Sequence, residues 1–359
     1  MKLRMHREFI IGIFTVILGL IAGALLMALT GNNPFEGFYY LFAGSLMNVE
    51  RIGNTFAMAA PLILTGLSVA FAFRTGLFNI GSPGQVLIGG LLATIIGLTV
   101  DLPKPLLVSM MTAAAITGGA LWGSVPGILK ARFNVHEVVA CIMMNWIAYW
   151  ITYYTIRIHF SRVGLATESH RLGENATLRV RWLTEAFDGS YINLGIFIAL
   201  AAVAVIAVIL SRTVWGYQFK AVGFNRFAAE NAGIPVKRNI ITSMMIAGGL
   251  SGLAGLSYYT GYAVNMEIGI MPNIGWDGIA VALLGASSPI GVIGAAFFFG
   301  ILQAGKGFMG AMTDVPPEVG DTIIASIIYF AATSVMIRKI LGSNKLRQLL
   351  SGREGAAHV

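Results

Sequence analysis

The sequence predicts an all-α integral membrane protein of about ten transmembrane helices. Three observations carry this expectation. The 359 residues are 56% hydrophobic and only 11% charged, where an ordinary soluble domain carries about 25% charged residues. So apolar a chain lacks the polar side chains to cover a water-facing surface. The apolar residues also gather into runs near bilayer length, as spanning helices require. Finally, the charges segregate. With both termini, Arg74, 130–137 and 211–239 on one side, that side holds 16 Lys/Arg and 4 Asp/Glu, against 8 and 12 elsewhere. The positive-inside rule makes it the cytoplasmic side, and the number of crossings is then even.

Taken in order, Lys2, Arg4 and Arg7 precede an apolar run over 9–29. The run is too long for a signal peptide and ends in Leu29-Thr30-Gly31-Asn32 without a clear small-x-small cleavage site, so a retained first helix is expected. A polar segment, 30–54, follows on the other side. Further apolar runs cover 56–73, 85–100, 106–128, 138–158, 194–210 and 240–262. The glycine-broken region 278–304 is too short for two full crossings, so a re-entrant piece or a tilted pair is expected there. Pro316-Pro317 stop one element, and Glu318 and Asp321 suit the positive N-terminus of the last run, 320–337. Arg338 and Lys339 suit its negative end. Residues 1–340 read as one transmembrane unit, and 341–359 as a basic cytoplasmic tail. The loop 159–193 orients nothing by itself, because Arg162, Arg171, Arg179 and Arg181 are balanced by Glu168, Glu174, Glu185 and Asp188.

Several chemistries find no support. A single cysteine, Cys141, excludes an intrachain disulfide and a cysteine metal cluster, and the five histidines show no ligand spacing. The net charge of +8 belongs to membrane orientation, since no basic tract is interleaved with aromatics as a nucleic-acid partner would require. Gly300–Gly307 matches the phosphate-loop spacing GxxxxGK, but Gly307 stands where the magnesium-binding Ser/Thr belongs, and the context is a membrane run. Any ATP and magnesium must therefore be bound by another chain, and this chain needs no cofactor. Paired carboxylates, HExxH and a nucleophile elbow are missing, which argues against an intramembrane enzyme. Asp277 and Lys306 are the only charges whose depth is ambiguous, which weakens an ion-coupled carrier.

One polar, basic island stands out, Trp215 to Asn239. Asn225 can cap a helix, Arg226 to Ala232 can form two turns, and Gly233 can supply a left-handed stop before Pro235. So short a helix cannot stand alone in water. Its alanine face and the flanking Phe224, Phe227 and Ile234 need something to pack against.

Two stretches break the helical pattern, Gly76 to Gln85 and Gly285 to Gly291. Non-helical backbone at membrane depth is buried in protein or lines a wet cavity. Both breaks carry Ser-Pro-x-x-Val, at Ser82-Pro83 with Val86 and Ser288-Pro289 with Val292, and paired interruptions point to a substrate path. Other polar groups in or near apolar runs are Asn145, Trp146, Asn265, Trp276, Asp277 and Gln303. Asn145 either bonds a neighbouring helix or faces substrate. Trp146, Trp150, Tyr153 and Tyr154 form either an interfacial belt or a stacking surface for a flat ring.

Three segments together resemble a known family. Gly76–Gln85, GLFNIGSPGQ, is similar to the FNIGxEGQ signature of permease subunits of bacterial ABC importers in the branched-chain amino-acid/ribose class, nucleoside and simple-sugar branch. Phe219 to Ile234 resembles that branch's cytoplasmic R-A-V-G-x-N-x-x-A-A-x-x-A-G-I segment, with Lys220 in place of Arg. Gly275–Gly291 resembles its Gly/Ser-rich region after the seventh helix. The resemblance runs from about Phe56 to Arg338. Pro83 stands where the signature has Glu, so no role of that carboxylate carries over.

The resemblance implies a type II ABC importer permease fold in the bacterial cell membrane. Its partners would be an ABC ATPase with two fused nucleotide-binding domains, a second, paralogous permease chain and an extracellular substrate-binding lipoprotein. Gly223, Phe224, Asn225, Arg226, Ala228, Ala229 and Gly233 would form the coupling helix seated on the ATPase. Asn79, Ser82, Gln85, Asn145, Trp146, Ser287 and Ser288 would line the substrate path. Nucleosides are the expected cargo; the alternatives are a simple sugar, or an ion-coupled secondary transporter.

Overall fold

The computed structural model describes residues 2–162 and 165–333. The tail expected at 341–359 and the end of the last run, with Arg338 and Lys339, lie outside the described residues. The chain opens with α1 (Lys2–Leu29), α2 (Pro34–Leu46), α3 (Val49–Arg74), α4 (Ser82–Thr99), α5 (Lys104–Phe133) and α6 (Glu137–Thr155), which continues as a π-turn over Ile156–Phe160. A small antiparallel hairpin follows, β1 (Ser161–Arg162) and β2 (Leu165–Ser169), then α7 (Arg181–Ala186). The remaining helices are α8 (Gly195–Arg212), α9 (Val214–Phe224), α10 (Arg226–Asn231), α11 (Val236–Leu256), α12 (Asn273–Leu284), α13 (Pro289–Met312) and α14 (Pro317–Ala332). A π-turn over Ser257–Tyr262 extends α11.

Among the described residues seven helices are long and apolar enough to cross a membrane. They are α1, α3, α4, α5, α8, α11 and α13. Close contacts fix the relative direction of two pairs. Gly19 and Gly23 of α1 meet Ile327 and Ile323 of α14, an antiparallel pair, and Gly66 and Gly300 pair α3 with Val292 and Ala59 in the same antiparallel sense. Of the about ten spans expected, α6, α12 and α14 fall outside this set, at 19, 12 and 16 residues. The shortfall expected near 278–304 falls on one limb alone: α12 has 12 residues, while α13 runs for 24.

The segment 30–54 departs from its reading as a polar connection. It holds α2 and the first turns of α3. Asn33 Oδ1 accepts the Phe35 amide at 3.1 Å, and Asn48 Oδ1 accepts that of Arg51 at 2.9 Å, so each asparagine starts a helix. Leu41, Gly44 and Ser45 of α2 are buried, where the chain packs on the outer turns of α13. Charged and amide residues at the caps masked this short apolar face.

The centre of the molecule is α3, buried from Ala57 to Ala72, with α4, α5 and α11 around it. Small residues set the spacing. A methyl on Gly123 of α5 would sit 3.0 Å from Gly248 Cα of α11, and one on Gly119 would lie 2.9 Å from Gly252 Cα. Backbones approach this closely in lipid because there is no hydrophobic drive between apolar helices, and dispersion at short range replaces it. Gly300 and Gly305 sit within the continuous helix α13, against Ala59 of α3 and Leu41 of α2. The phosphate-loop spacing is thus a helix-packing pattern.

Candidate functional site: a buried polar joint and an exposed knob

At the end of α3 the chain turns at Gly76, whose φ of +72° suits glycine. The Leu77 amide bonds back to Ala72 O at 3.0 Å. The chain then re-enters the protein without helical bonding until α4 begins. Buried backbone of this kind must find partners elsewhere. Asn145 of α6 supplies two. Its Nδ2 donates to Ile80 O at 3.0 Å, and its Oδ1 accepts the Gly84 amide at 3.0 Å. One amide therefore satisfies both sides of the break.

The other expected path residues of this stretch lie in the same network. Asn79 and Gln85 exchange reciprocal bonds, Asn79 Nδ2 to Gln85 Oε1 at 2.8 Å and Gln85 Nε2 to Asn79 Oδ1 at 3.0 Å. Asn79 Nδ2 also donates to Ser68 Oγ at 3.0 Å. Ser251 Oγ donates to Ser68 Oγ at 2.9 Å, and Ser68 Oγ to Ala247 O at 2.7 Å. Ser82 Oγ lies 2.9 Å from Ser251 Oγ. Asn79, Ser82, Gln85 and Asn145 are all buried, and their polar atoms bond to protein. Pro83, in the place of the signature's Glu, packs on α12: a methyl on Gly275 would sit 2.6 Å from the Pro83 nitrogen.

Trp146 is not part of this cluster. It faces outward on α6, 53% exposed. Ser287 and Ser288 lie apart as well, in the turn from α12 to α13. Ala286 and Ser287 both adopt left-handed conformations, φ 52° and 50°, a costly arrangement for residues with a Cβ. Arg74 reaches across to this turn, its Nε donating to Ser287 O at 3.0 Å. Gly223 of α9 approaches the same place, since a methyl on it would lie 3.0 Å from the Gly76 amide and from the Arg74 carbonyl carbon. Both breaks and the α9–α10 segment converge on Arg74.

The α9–α10 segment forms as its residues predict. Asn225 Oδ1 accepts the amides of Phe227 and Ala228 at 3.0 and 3.1 Å. Gly233, at φ +79°, closes the helix, with Ile234 N bonding to Ala229 O at 3.0 Å. The alanine face divides in two. Ala229 is buried, in a cluster with Leu77, Val222, Ile240 and Met244. Ala228 is exposed, and Phe224 and Phe227 stand out at 91% and 74%. Arg226 is half-buried beside them.

Two contacts were not legible as pairs in the sequence. Gln303 Nε2 donates to the buried carboxylate of Asp277 at 2.8 Å, and Lys306 pairs with Asp321 at 2.6 Å. Asp277 thus lies in the interior, joined to α13. Arg74, Ser68 and Ser251 were also missed as members of the site; single hydroxyls in apolar runs ordinarily bond their own helix and give no distinguishing signal.

Residues 51–332 match the family model described as branched-chain amino acid transport system / permease component. The guanosine ABC transporter permease protein NupP of Bacillus subtilis is 41% identical, over 94% of this chain and 97% of its own. The nucleoside ABC transporter permease protein NupB of Lactococcus lactis is 37% identical over 94% of each chain. The glucose ABC transporter permease protein TsgB13 of Haloferax volcanii is 28% identical, over 91% of this chain and 88% of its own. No solved structure matches.

Proposed function

The chain belongs to the branched-chain amino acid transport system / permease component family, and on that premise we propose that it is the membrane subunit of an ATP-driven nucleoside importer. It is a transport component rather than an enzyme, and a multi-pass membrane protein. The observation that carries the nucleoside reading is near full-length identity of 41% and 37% to permeases named for guanosine and nucleosides. The simple-sugar reading rests on the 28% relative named for glucose, and trails it.

In this reading the α9–α10 end lies in the cytoplasm with both termini, as the charge distribution favours. Residues 211–239 are the coupling segment of a single transmembrane unit. Phe224, Phe227, Ala228 and the Arg226 edge seat in a groove of the ATPase, which binds ATP and magnesium. Exposed phenylalanines on a capped, self-supported knob suit such a seat. An extracellular binding lipoprotein delivers substrate at the opposite end, and a second, paralogous permease completes the pair within the lipid.

ATP-driven closure of the ATPase pair moves the knob. Gly223 bears on the backbone at Arg74 and Gly76, so displacement reaches the α3–α4 joint and, through Arg74, the strained turn at Ser287–Ser288. In this conformation Asn79 and Gln85 bond each other, Ser82 pairs with Ser251, and Asn145 bonds the backbone at Ile80 and Gly84. Opening of the joint would free their amides and hydroxyls for a passing nucleoside, with Trp146 on the neighbouring wall.

The test is reconstitution. The complete complex in liposomes should import labelled guanosine with ATP, and the purified chain alone should carry nothing on a proton or sodium gradient. Import of glucose but not guanosine would replace the cargo, and transport by the isolated chain would overturn the assignment.

A further inference from the structure

Helix α8 ends at Arg212, and Thr213 starts α9 by accepting the Gly216 amide at 3.1 Å. The turn lays α9 at the end of a span, where Trp215 and Tyr217 stand 61% and 67% exposed. Aromatics in that place mark a membrane surface. The first turns of α11 run beside α9. Asn239 Nδ2 joins them, donating to Gln218 Oε1 at 3.3 Å and to Pro235 O at 3.0 Å.

Between the two helices lies a notch of about 160 Å³. Trp215, Gln218 and Phe219 of α9 form one wall, and Arg238, Thr242 and Ile246 of α11 form the other. The lining is graded from polar to apolar. Arg238 sits in the first turn of α11, level with the Gln218–Asn239 bond. Ile246 lies about 12 Å further along the helix. The headgroup layer of one leaflet is about 5–8 Å deep, so the notch runs from headgroup level into hydrocarbon.

Charge narrows the occupant. Residues 211–239 hold five cations, Arg212, Lys220, Arg226, Lys237 and Arg238, against the single Glu230. Among the described residues none of the five is in an ion pair, and no carboxylate lines the notch. The lining offers donors instead: the Arg238 guanidinium, the Trp215 indole N–H, and Gln218 Nε2, whose partner oxygen is held by Asn239. A guanidinium binds phosphate through two parallel N–H bonds. A soluble anion would fill the polar mouth and leave the apolar end empty. An ATPase surface arriving from water would not reach the level of Ile246. An anionic phospholipid satisfies both ends, and basic pockets between spanning helices suit such headgroups.

We propose that the α9–α11 notch binds an anionic phospholipid, its phosphate on Arg238 and Gln218 and its acyl chain against Phe219 and Ile246. The site goes beyond the transport reading and does not depend on the cargo. It needs only that this corner lies at a membrane surface. Helix α9 runs directly into the knob, so the bound lipid ties the base of α10 to α11.

The test uses the complete complex in nanodiscs containing a trace of phosphatidylglycerol with an acyl-chain diazirine. Photolysis should label this chain within 215–219 and 239–246. Excess phosphatidylglycerol should suppress the label, whereas phosphatidylcholine and soluble glycerol 3-phosphate should not. Arg238→Gln should lower the yield about fivefold, the worth of one cation at an anionic surface. Thr242→Phe fills the notch with every charge in place and should lower it too. Lys237→Gln removes a neighbouring charge outside the lining and should leave the yield nearly unchanged. Equal losses in Arg238→Gln and Lys237→Gln would reduce the effect to general attraction and overturn the site. Suppression by phosphatidylcholine would do the same, and suppression by glycerol 3-phosphate would make it a soluble-anion site. Label that appears on the chain alone but not in the complex would give the notch to the ATPase. If the variants do not assemble, the position of the label and its competition in the wild-type complex decide. Failure of guanosine import would defeat the transport reading and leave this result untouched.

Discussion

Arg74 donates from Nε to the carbonyl of Ser287 at 3.0 Å, across 213 residues of sequence. The bond joins the end of the most buried helix to a turn whose two central residues, Ala286 and Ser287, are both left-handed. Such a turn persists only where its surroundings over-determine it. Arg74 is one of the groups that does so, and Gly223 of the knob packs against its carbonyl. A push on α9 therefore meets a strained element through one residue.

Arg74→Ala should weaken coupling more than folding. The guanidinium bond is exposed, so its loss should cost little stability, within about 0.5–1.5 kcal/mol. Residues on such a relay alter coupling by about 0.5–2 kcal/mol, a few-fold to roughly thirtyfold in rate. The measurement is ATP-driven guanosine uptake alongside ATP hydrolysis. A fall in uptake per ATP with unchanged thermal melting is expected; a parallel fall in both would make Arg74 only structural.

The two faces of α10 should separate by mutation. Phe227→Ala removes a side chain that is 74% exposed and should leave the chain folded but release the ATPase in a pull-down. Ala229→Asp places a carboxylate in a buried cluster with Leu77 and Met244. That should destabilise the chain by several kcal/mol and deplete it from the membrane. Asn225→Ala should fall between, costing about 1 kcal/mol through loss of the cap. Retention of the ATPase by Phe227→Ala would remove the knob from the interface.

Much of this organisation was readable in the sequence, for physical reasons that differ by element. The knob was legible because its signals are local: a capping amide, two turns and a glycine stop. The break at Gly76–Gln85 was legible because glycine and proline interrupt an apolar run. What closes the break was not. Asn145 stands 60 residues beyond Gln85 in an unrelated run, and an amide alone does not state whether it bonds backbone or ligand. The division between Ala228 and Ala229 also depends on tertiary contact, since neighbouring alanines are equal by propensity. Helix α2 was hidden because a short amphipathic face with asparagine caps reads as a loop.

The orientation can be read with one thiol reagent. The native Cys141 is buried, so background labelling should be low. A membrane-impermeant maleimide on intact cells should label Trp182→Cys, an exposed position of α7, and should not label Glu230→Cys, an exposed position of α10. Broken cells should label both. Labelling of Glu230→Cys from outside would invert the molecule and remove the ATPase from that end.

Asn145→Leu tests the joint itself. The substitution keeps the branched heavy-atom skeleton, with somewhat bulkier methyls, and removes the donor to Ile80 O and the acceptor for Gly84 N. Each group would be left unpaired in the interior, at about 1–3 kcal/mol apiece. Asn145→Asp can recover part of the arrangement only as the neutral acid, one oxygen accepting the Gly84 amide and the O–H donating to Ile80 O. Thermal melting of the purified chain in detergent should therefore fall in the order wild type, Asp, Leu. If the Leu variant melts as the wild type does, water or rearranged backbone must satisfy those groups, and the amide is free for substrate rather than committed to the break. A normal melt combined with impaired guanosine uptake would place Asn145 on the path directly, whereas a lowered melt with uptake proportional to the folded protein would confine it to the joint.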